Sequence, residues 1–339
     1  MLIVAGVLLA LAGPVGSIEV ARTATTATRD AFSVSLGGEL FLRLQSAKLE
    51  GAADWSRAYE INRAEIALTM RYGEVFRLRI EPDFGGGNVG VRDVFLEFEP
   101  SSMFDLRLGR VKSPYGWLDN MGRFELPSLS RGLVTEVLRD RLGFGGRQVA
   151  VMPRVRLKEV TGKPWIQGGV FGDLSTDLGA DGAAAIGVKP MKGLDVSLSW
   201  HHHAGALVGG GHGNAVSLAV AYDRKFLFAA IEGHLAYAAL LRKNGQAAVE
   251  NAGLWAVRGL FSVPFAVHED VIVGPFVGAS ILDPQLGAGS DLGFEILGGV
   301  DARWLGVIRV GIEADVQIGE ASFVVADRTQ LTAFVGASL

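Results

Sequence analysis

From residue 32 onward the chain alternates apolar and polar residues with a period of two, and many of the polar positions carry charge. Phe32, Val34, Leu36, Leu40, Leu42 and Leu44 fall on one parity, with Ser33, Ser35, Glu39, Arg43 and Gln45 on the other. Phe76, Leu78 and Ile80 alternate with Arg77, Arg79, Glu81 and Asp83. Val94, Leu96 and Phe98 alternate with Asp93, Glu97 and Glu99, and Leu106 and Leu108 with Asp105 and Arg107. Successive side chains of a β-strand point to opposite faces, so each stretch reads as a strand with one apolar and one charged face. Two architectures accept such strands. In a β-sandwich the apolar face is the core and the polar face meets solvent; in a membrane barrel the apolar face meets lipid and the charges line a wet interior.

Composition and strand number favour the barrel. Hydrophobic residues make up 49% of the chain, charged residues 20%, and the mean hydropathy is +0.30. Yet no apolar run after residue 12 reaches the roughly 18 residues that a membrane helix needs. The 46 glycines argue against a helical protein, because glycine weakens helix interiors. Candidate strands open near residues 32, 58, 75, 91, 104, 144, 164, 181, 194, 213, 226, 251, 270, 291, 306 and 329. Spanning strands take about 9–11 residues each, so sixteen of them with their turns fill the chain after Ala31. Closing the sheet removes its edges and leaves no backbone group unpaired in lipid, and a barrel of about 16–18 strands is wide enough for an aqueous channel. The expected fold is therefore all-β, a transmembrane antiparallel β-barrel of about sixteen strands over residues 32–339. Leu331, Ala333, Val335, Ala337 and Leu339 alternate to the last residue, so the final strand can close it. Alanine and glycine blur the pattern from residue 180 onward.

The apolar stretch from Leu2 to Ala12, followed by Gly13, Pro14 and small residues to Ser17, has the shape of a signal peptide, although no Lys or Arg precedes it. Residues 1–17 are read as that signal and residues 18–31 as a flexible polar lead-in. The chain contains no cysteine, which excludes disulfides and cysteine-ligated zinc. A net charge of −4 offers no basic excess for nucleic acid.

Few motifs point to chemistry. Gly85, Gly87 and Gly90 spell a dinucleotide fingerprint, but that motif requires a following helix, and residues 91–98 alternate like a strand. A glycine turn is the better reading. His201, His202 and His203 are adjacent, so at most two can share a face, and a tract without a metal is expected. There is neither a nucleophile elbow nor an H-E-x-x-H pair. Glu97 and Glu99 lie two apart on one strand face, where they neutralise the nearby Arg77, Arg79 and Arg107. No catalytic residue, cofactor or metal is expected, and the protein is read as a non-enzyme. Residues 116–147 form the longest connection, with Arg123, Arg131, Arg139, Arg141 and Arg147 set against Asp119, Glu125, Glu136 and Asp140. Connections this long are usually functional, and an infolded constriction loop is the expectation here.

The stretches FRLRIEPDFGGG (76–87), VRDVFLEFEP (91–100) and LRLGRVKSPYGWLDN (106–120) resemble the phosphate-selective porin O and P family, as does RGLVTEVLRDRLGFGG (131–146). In that family a strand ending in Asp-Phe leads to a further acidic strand and then to a G-x-x-K-x-P-aromatic-G turn, matched here by Gly109, Lys112, Pro114, Tyr115 and Gly116. The likeness covers residues 60–147 and is only architectural beyond them. It implies a sixteen-stranded, usually trimeric outer-membrane porin, with a loop folded into the lumen, that passes anions including phosphate. The pore-lining candidates are then Arg43, Arg63, Arg77, Arg79, Arg107, Asp93 and Glu97, and the constriction-loop candidates are Arg123, Arg131, Arg139 and Arg141. Expected partners are outer-membrane lipid, small anions as permeants and two further copies of the chain. The alternative is a non-channel outer-membrane barrel with a structural or adhesive role. Glu39, Glu65, Glu81 and Asp83 compete with the arginines, so charge preference depends on which groups own the narrowest point.

Overall fold

The structure, a computed structural model, describes residues 27–29, 32–87, 89–172, 180–204, 213–240, 249–286, 292–319 and 327–338. The expected signal segment 1–17 lies outside the described residues. Sixteen strands follow one another: β1 (Phe32–Leu49), β2 (Ser56–Tyr72), β3 (Phe76–Asp83), β4 (Gly90–Ser101), β5 (Phe104–Lys112), β6 (Arg147–Arg156), β7 (Trp165–Gly172) and β8 (Asp181–Met191). They continue with β9 (Leu194–His203), β10 (Gly213–Arg224), β11 (Leu227–Leu240), β12 (Val249–Ser262), β13 (Val271–Asp283), β14 (Gly293–Trp304), β15 (Ile308–Gly319) and β16 (Arg328–Ser338). A short piece, Phe265–His268, extends β12 along β13. Each strand opens within three residues of the position its alternation predicts. Ala27–Arg29, in the stretch read as a flexible lead-in, instead pair with Phe32–Val34.

Every strand pairs antiparallel with its neighbours in sequence, and β16 pairs with β1 from Arg328↔Leu49 to Ser338↔Glu39. The sheet is thus a closed barrel without an edge. Its connections are unequal. Short turns such as 73–75, 102–103, 192–193, 225–226 and 305–307 lie at one end, and longer segments, among them 113–146, lie at the other.

The alternation resolves into two walls. On β10, Gly213, Ala215, Ser217, Ala219 and Ala221 are buried, while Val216, Leu218 and Val220 are exposed. Exposed aromatics gather in two belts. Tyr72, Phe76, Phe226, Phe265 and Trp304 stand near the turn end, and Tyr59, Trp200, Tyr237 and Phe294 near the other. Aromatic girdles flanking an apolar band are what a barrel spanning a bilayer requires. No helix among the described residues is long and apolar enough to cross a membrane. Inside, phenylalanines cover glycines across the ladder at Phe41↔Gly336, Phe334↔Gly311 and Phe276↔Gly299. A Cβ on Gly311 would stand 2.6 Å from the Phe334 ring, so that position has room only for glycine.

The connection between β5 and β6 has structure of its own. It holds a helical turn α1 (Trp117–Asn120) and a second, α2 (Gly132–Thr135), that widens into a π-helical stretch at Glu136–Arg141.

Candidate functional site

Three buried carboxylates on separate strands hold the 113–146 connection by its backbone. Glu232 on β11 accepts from Trp117 N at 2.6 Å and Leu118 N at 3.3 Å. Glu295 on β14 accepts from Leu133 N at 2.9 Å, and Glu313 on β15 from Leu129 N at 2.8 Å and Ser130 N at 3.0 Å. Two arginines complete the set. Arg258 on β12 reaches Glu232 at 2.6 Å, Asp119 at 3.0 Å and the Thr135 hydroxyl at 2.6 Å. Arg309 on β15 pairs with Asp301 at 2.9 Å and donates to the carbonyl oxygens of Arg123 and Pro127. Burying ions is costly unless they are paired or hydrogen-bonded. Glu232 and Asp119 share Arg258, whereas among the described residues Glu295 and Glu313 are held by hydrogen-bond donors alone. Burial pushes the Asp119 carboxyl up, but the Arg258 guanidinium and the Thr135 hydroxyl outweigh it and hold Asp119 well below the usual carboxylate range.

Apolar packing supports the same docking. Leu133, Val134, Val137, Leu138, Leu142 and Phe144 bury against Ala215, Ala236, Ala256, Leu254 and Leu282. Leu118 and Leu126 bury against Ala221, Phe228, Ala230, Leu260, Phe276 and Leu297. The alanines of β10–β12 thereby make room for the larger side chains of the connection.

Between this connection and β2–β7 lies a cavity of about 340 Å³. Eight basic side chains line it (Arg63, Arg92, Arg107, Lys112, Arg123, Arg131, Arg147 and Arg154) together with one acidic one, Asp93. The balancing carboxylates form an under-layer, with Glu65, Glu81, Glu97 and Asp105 all buried. Arg107 lies 2.7 Å from Glu97, Arg154 lies 2.8 Å from Asp105, and Arg92 contacts Glu65. Guanidinium groups therefore front the open space and carboxylates stand behind them. Crowding of like charge is marked at the connection. Burial, with Arg63 and Arg131 close by, pulls the Arg123 guanidinium down to about 9.

Of the residues singled out by sequence, the structure brings Arg63, Arg107, Asp93, Arg123 and Arg131 to this cavity. Arg43 pairs with Glu60 instead, Arg77 with Glu97, and Arg79 with Glu81 rather than Glu97. Glu97 lies beneath its arginines, 2% exposed. Arg139 and Arg141 do not line the cavity and pair with Asp140 and Glu136. Arg147, named with the long connection, and Lys112, named in the turn motif, also line it, and Arg92 and Arg154 were not foreseen. Arg92 shares the parity of outward-facing Val94 and Leu96, but the ladder slips between Glu81↔Asp93 and Pro82↔Val91. Such a bulge re-aims a side chain, and a strict count of two misses it. Of the histidines, His201 and His203 stack with ring centres 6.5 Å apart, and His203 Nδ1 meets Asp181 at 2.8 Å. His202 contacts Asn214 instead.

A closed sixteen-stranded antiparallel barrel with an apolar outer wall, two aromatic belts and a charged interior is an outer-membrane β-barrel. No known family profile matches the chain, and no curated protein does. Solved structures do. OmpF of Salmonella typhi in complex with daunomycin aligns with a TM-score of 0.68 at 13% identity, covering 93% of this chain and 100% of that one. An anion-selective porin from Comamonas acidovorans aligns at 0.63 and 13% identity, covering 91% and 100%. OmpT, an outer membrane protein of Vibrio cholerae solved in a trimer form, aligns at 0.60 and 12% identity, covering 91% and 100%.

Proposed function

We propose that the protein is an outer-membrane porin through which small anions, phosphate among them, diffuse passively. The observation that carries this reading is the open cavity fronted by eight basic groups and one acidic group. On this reading the 113–146 connection lies across the lumen and narrows it, and the remaining passage runs between Arg123 and Arg131 on the connection and the arginines of β2–β6. Charged rings, not conformational change, then set selectivity. Acidic residues such as Glu232, Glu295 and Glu313 are taken up in anchoring the connection, so they do not compete for the permeant. Arginine remains charged at neutral pH and presents a planar donor fork to phosphate or carboxylate oxygens. A homotrimer embedded in outer-membrane lipid is proposed as the assembly, supported by the solved trimer form of OmpT.

The test is the reversal potential in a planar bilayer under a KCl gradient. Anion selectivity is expected for the wild type, and a shift towards cations for Arg107→Gln and Arg154→Gln. Arg139→Ala, whose side chain faces Asp140, leaves the potential where it was. A cation-selective wild type would refute the proposal, and absence of conductance would favour the non-channel barrel.

A further inference from the structure

Asn120, Met121 and Gln167 line two adjoining spaces: the arginine-fronted cavity, and a second cavity of about 360 Å³ with different chemistry. Two tryptophans, Trp117 and Trp165, line the second, together with Asn120, Gln167 and Ser197. Both indoles have firm backing. Trp165 lies over Gly187, its partner across the ladder, so closely that a Cβ there would stand 2.5 Å from the ring. Trp117 packs on Phe228 with ring centres 6.3 Å apart at 32°.

Membrane anchoring explains Trp200 and Trp304, which are exposed in the two outer belts. It does not explain two indoles on an inner cavity beside charged groups. An aromatic face left open to water forgoes the favourable burial of its apolar area, and a site that keeps two of them implies a solute that covers them. Among the described residues, the Gln167 side-chain amide and the Ser197 hydroxyl form no hydrogen bond with the protein, so both remain available to such a solute. Gln167 is the ladder partner of Arg154, which fronts the arginine cavity.

We infer that the two cavities together form a subsite for anions carrying a hydroxylated ring, the chemical class of a hexose phosphate. The ring lies against Trp117 and Trp165, its hydroxyls meet Gln167 and Ser197, and the phosphate meets Arg107 and Arg154. Glu125 and Asp223, also on the tryptophan side, accept sugar hydroxyls and repel phosphate, which orients the anionic end towards the arginines. Binding that is weak and spread over more than one site is what conduction needs. This inference rests on the anion-porin reading above and narrows its substrate class.

The experiment measures block of the chloride current through the reconstituted protein by glucose phosphate, inorganic phosphate and glucose. Glucose phosphate is expected to block at a concentration about tenfold lower than either of the others, a factor within reach of one stacked ring. Trp165→Ala should bring glucose phosphate to the value of inorganic phosphate, Trp165→Phe should retain most of the difference, and Gln167→Leu should lose part of it. Equal block by the two phosphates in the wild type, or an undiminished ratio in Trp165→Ala, would overturn the inference while leaving an anion-selective porin standing. A cation-selective or non-conducting wild type would instead overturn the reading on which it rests.

Discussion

Arg258 ties the barrel wall to both helical turns of the connection. It reaches Glu232 on the neighbouring strand, and both Asp119 and Thr135 on the connection. Removing one partner of a buried ionic cluster leaves the others charged and unpaired, which costs about 3–5 kcal/mol. Arg258→Ala is therefore expected to release the 113–146 connection without opening the barrel, and limited trypsin digestion would report it as faster cleavage after Arg123 and Arg131. Arg139→Ala breaks only a partly exposed pair, worth about 0–1 kcal/mol, and should digest like the wild type. These two arginines were not distinguishable in the sequence. Charge density marked residues 116–147 as a region, but direction within it depends on the π-helical stretch that turns Arg139 and Arg141 towards Asp140 and Glu136. Arg258 gave no sign either, because Asp119 and Glu232 lie far from it along the chain.

At the scale of strands, parity carried most of the information. Along Phe76–Asp83, Leu96–Glu99 and Asp105–Leu108 charged and apolar residues alternate, and there the two walls can be assigned by counting. From β8 onward the pattern fades for a physical reason. The inward positions of β10–β12 face the apolar side of the connection, so they carry Ala215, Ala236 and Ala256 where a wet interior would call for polar groups. Outward parity persists on these strands, and it gives a direct test. Leu218, 55% exposed and midway along β10, faces outward. Leu218→Arg at that depth should destabilise the folded barrel in lipid by about 2–4 kcal/mol, measured by the denaturant concentration needed to unfold it from vesicles. A cost below that of an ordinary surface substitution would mean that Leu218 does not meet hydrocarbon. Bulges are the other blind spot, and Arg92 is the case in point: one extra residue moves a guanidinium from the lipid parity to the cavity.

For the molecule as a whole, the number of strands and their starts were legible in the sequence, because each boundary is a local change in pattern. The partition of charge was not. Net charge is −4, and a reader of composition alone would expect cations to be favoured; the structure places buried carboxylates behind guanidiniums and beneath the connection. Closure makes the next expectation. A ladder with no free edge has no strand from which unfolding can begin in detergent, so unheated and boiled samples should migrate differently in SDS gels, and identical mobility would contradict the closed barrel. That same seam, Glu39 to Ser338, also imposes an order in time. Its two halves belong to the first and last strands, so a ribosome has made nearly every stave before the hoop can be fastened. Until then the growing protein carries two raw borders, each able to capture the wrong neighbour, and a copy cut short before Arg328 would keep both of them for life.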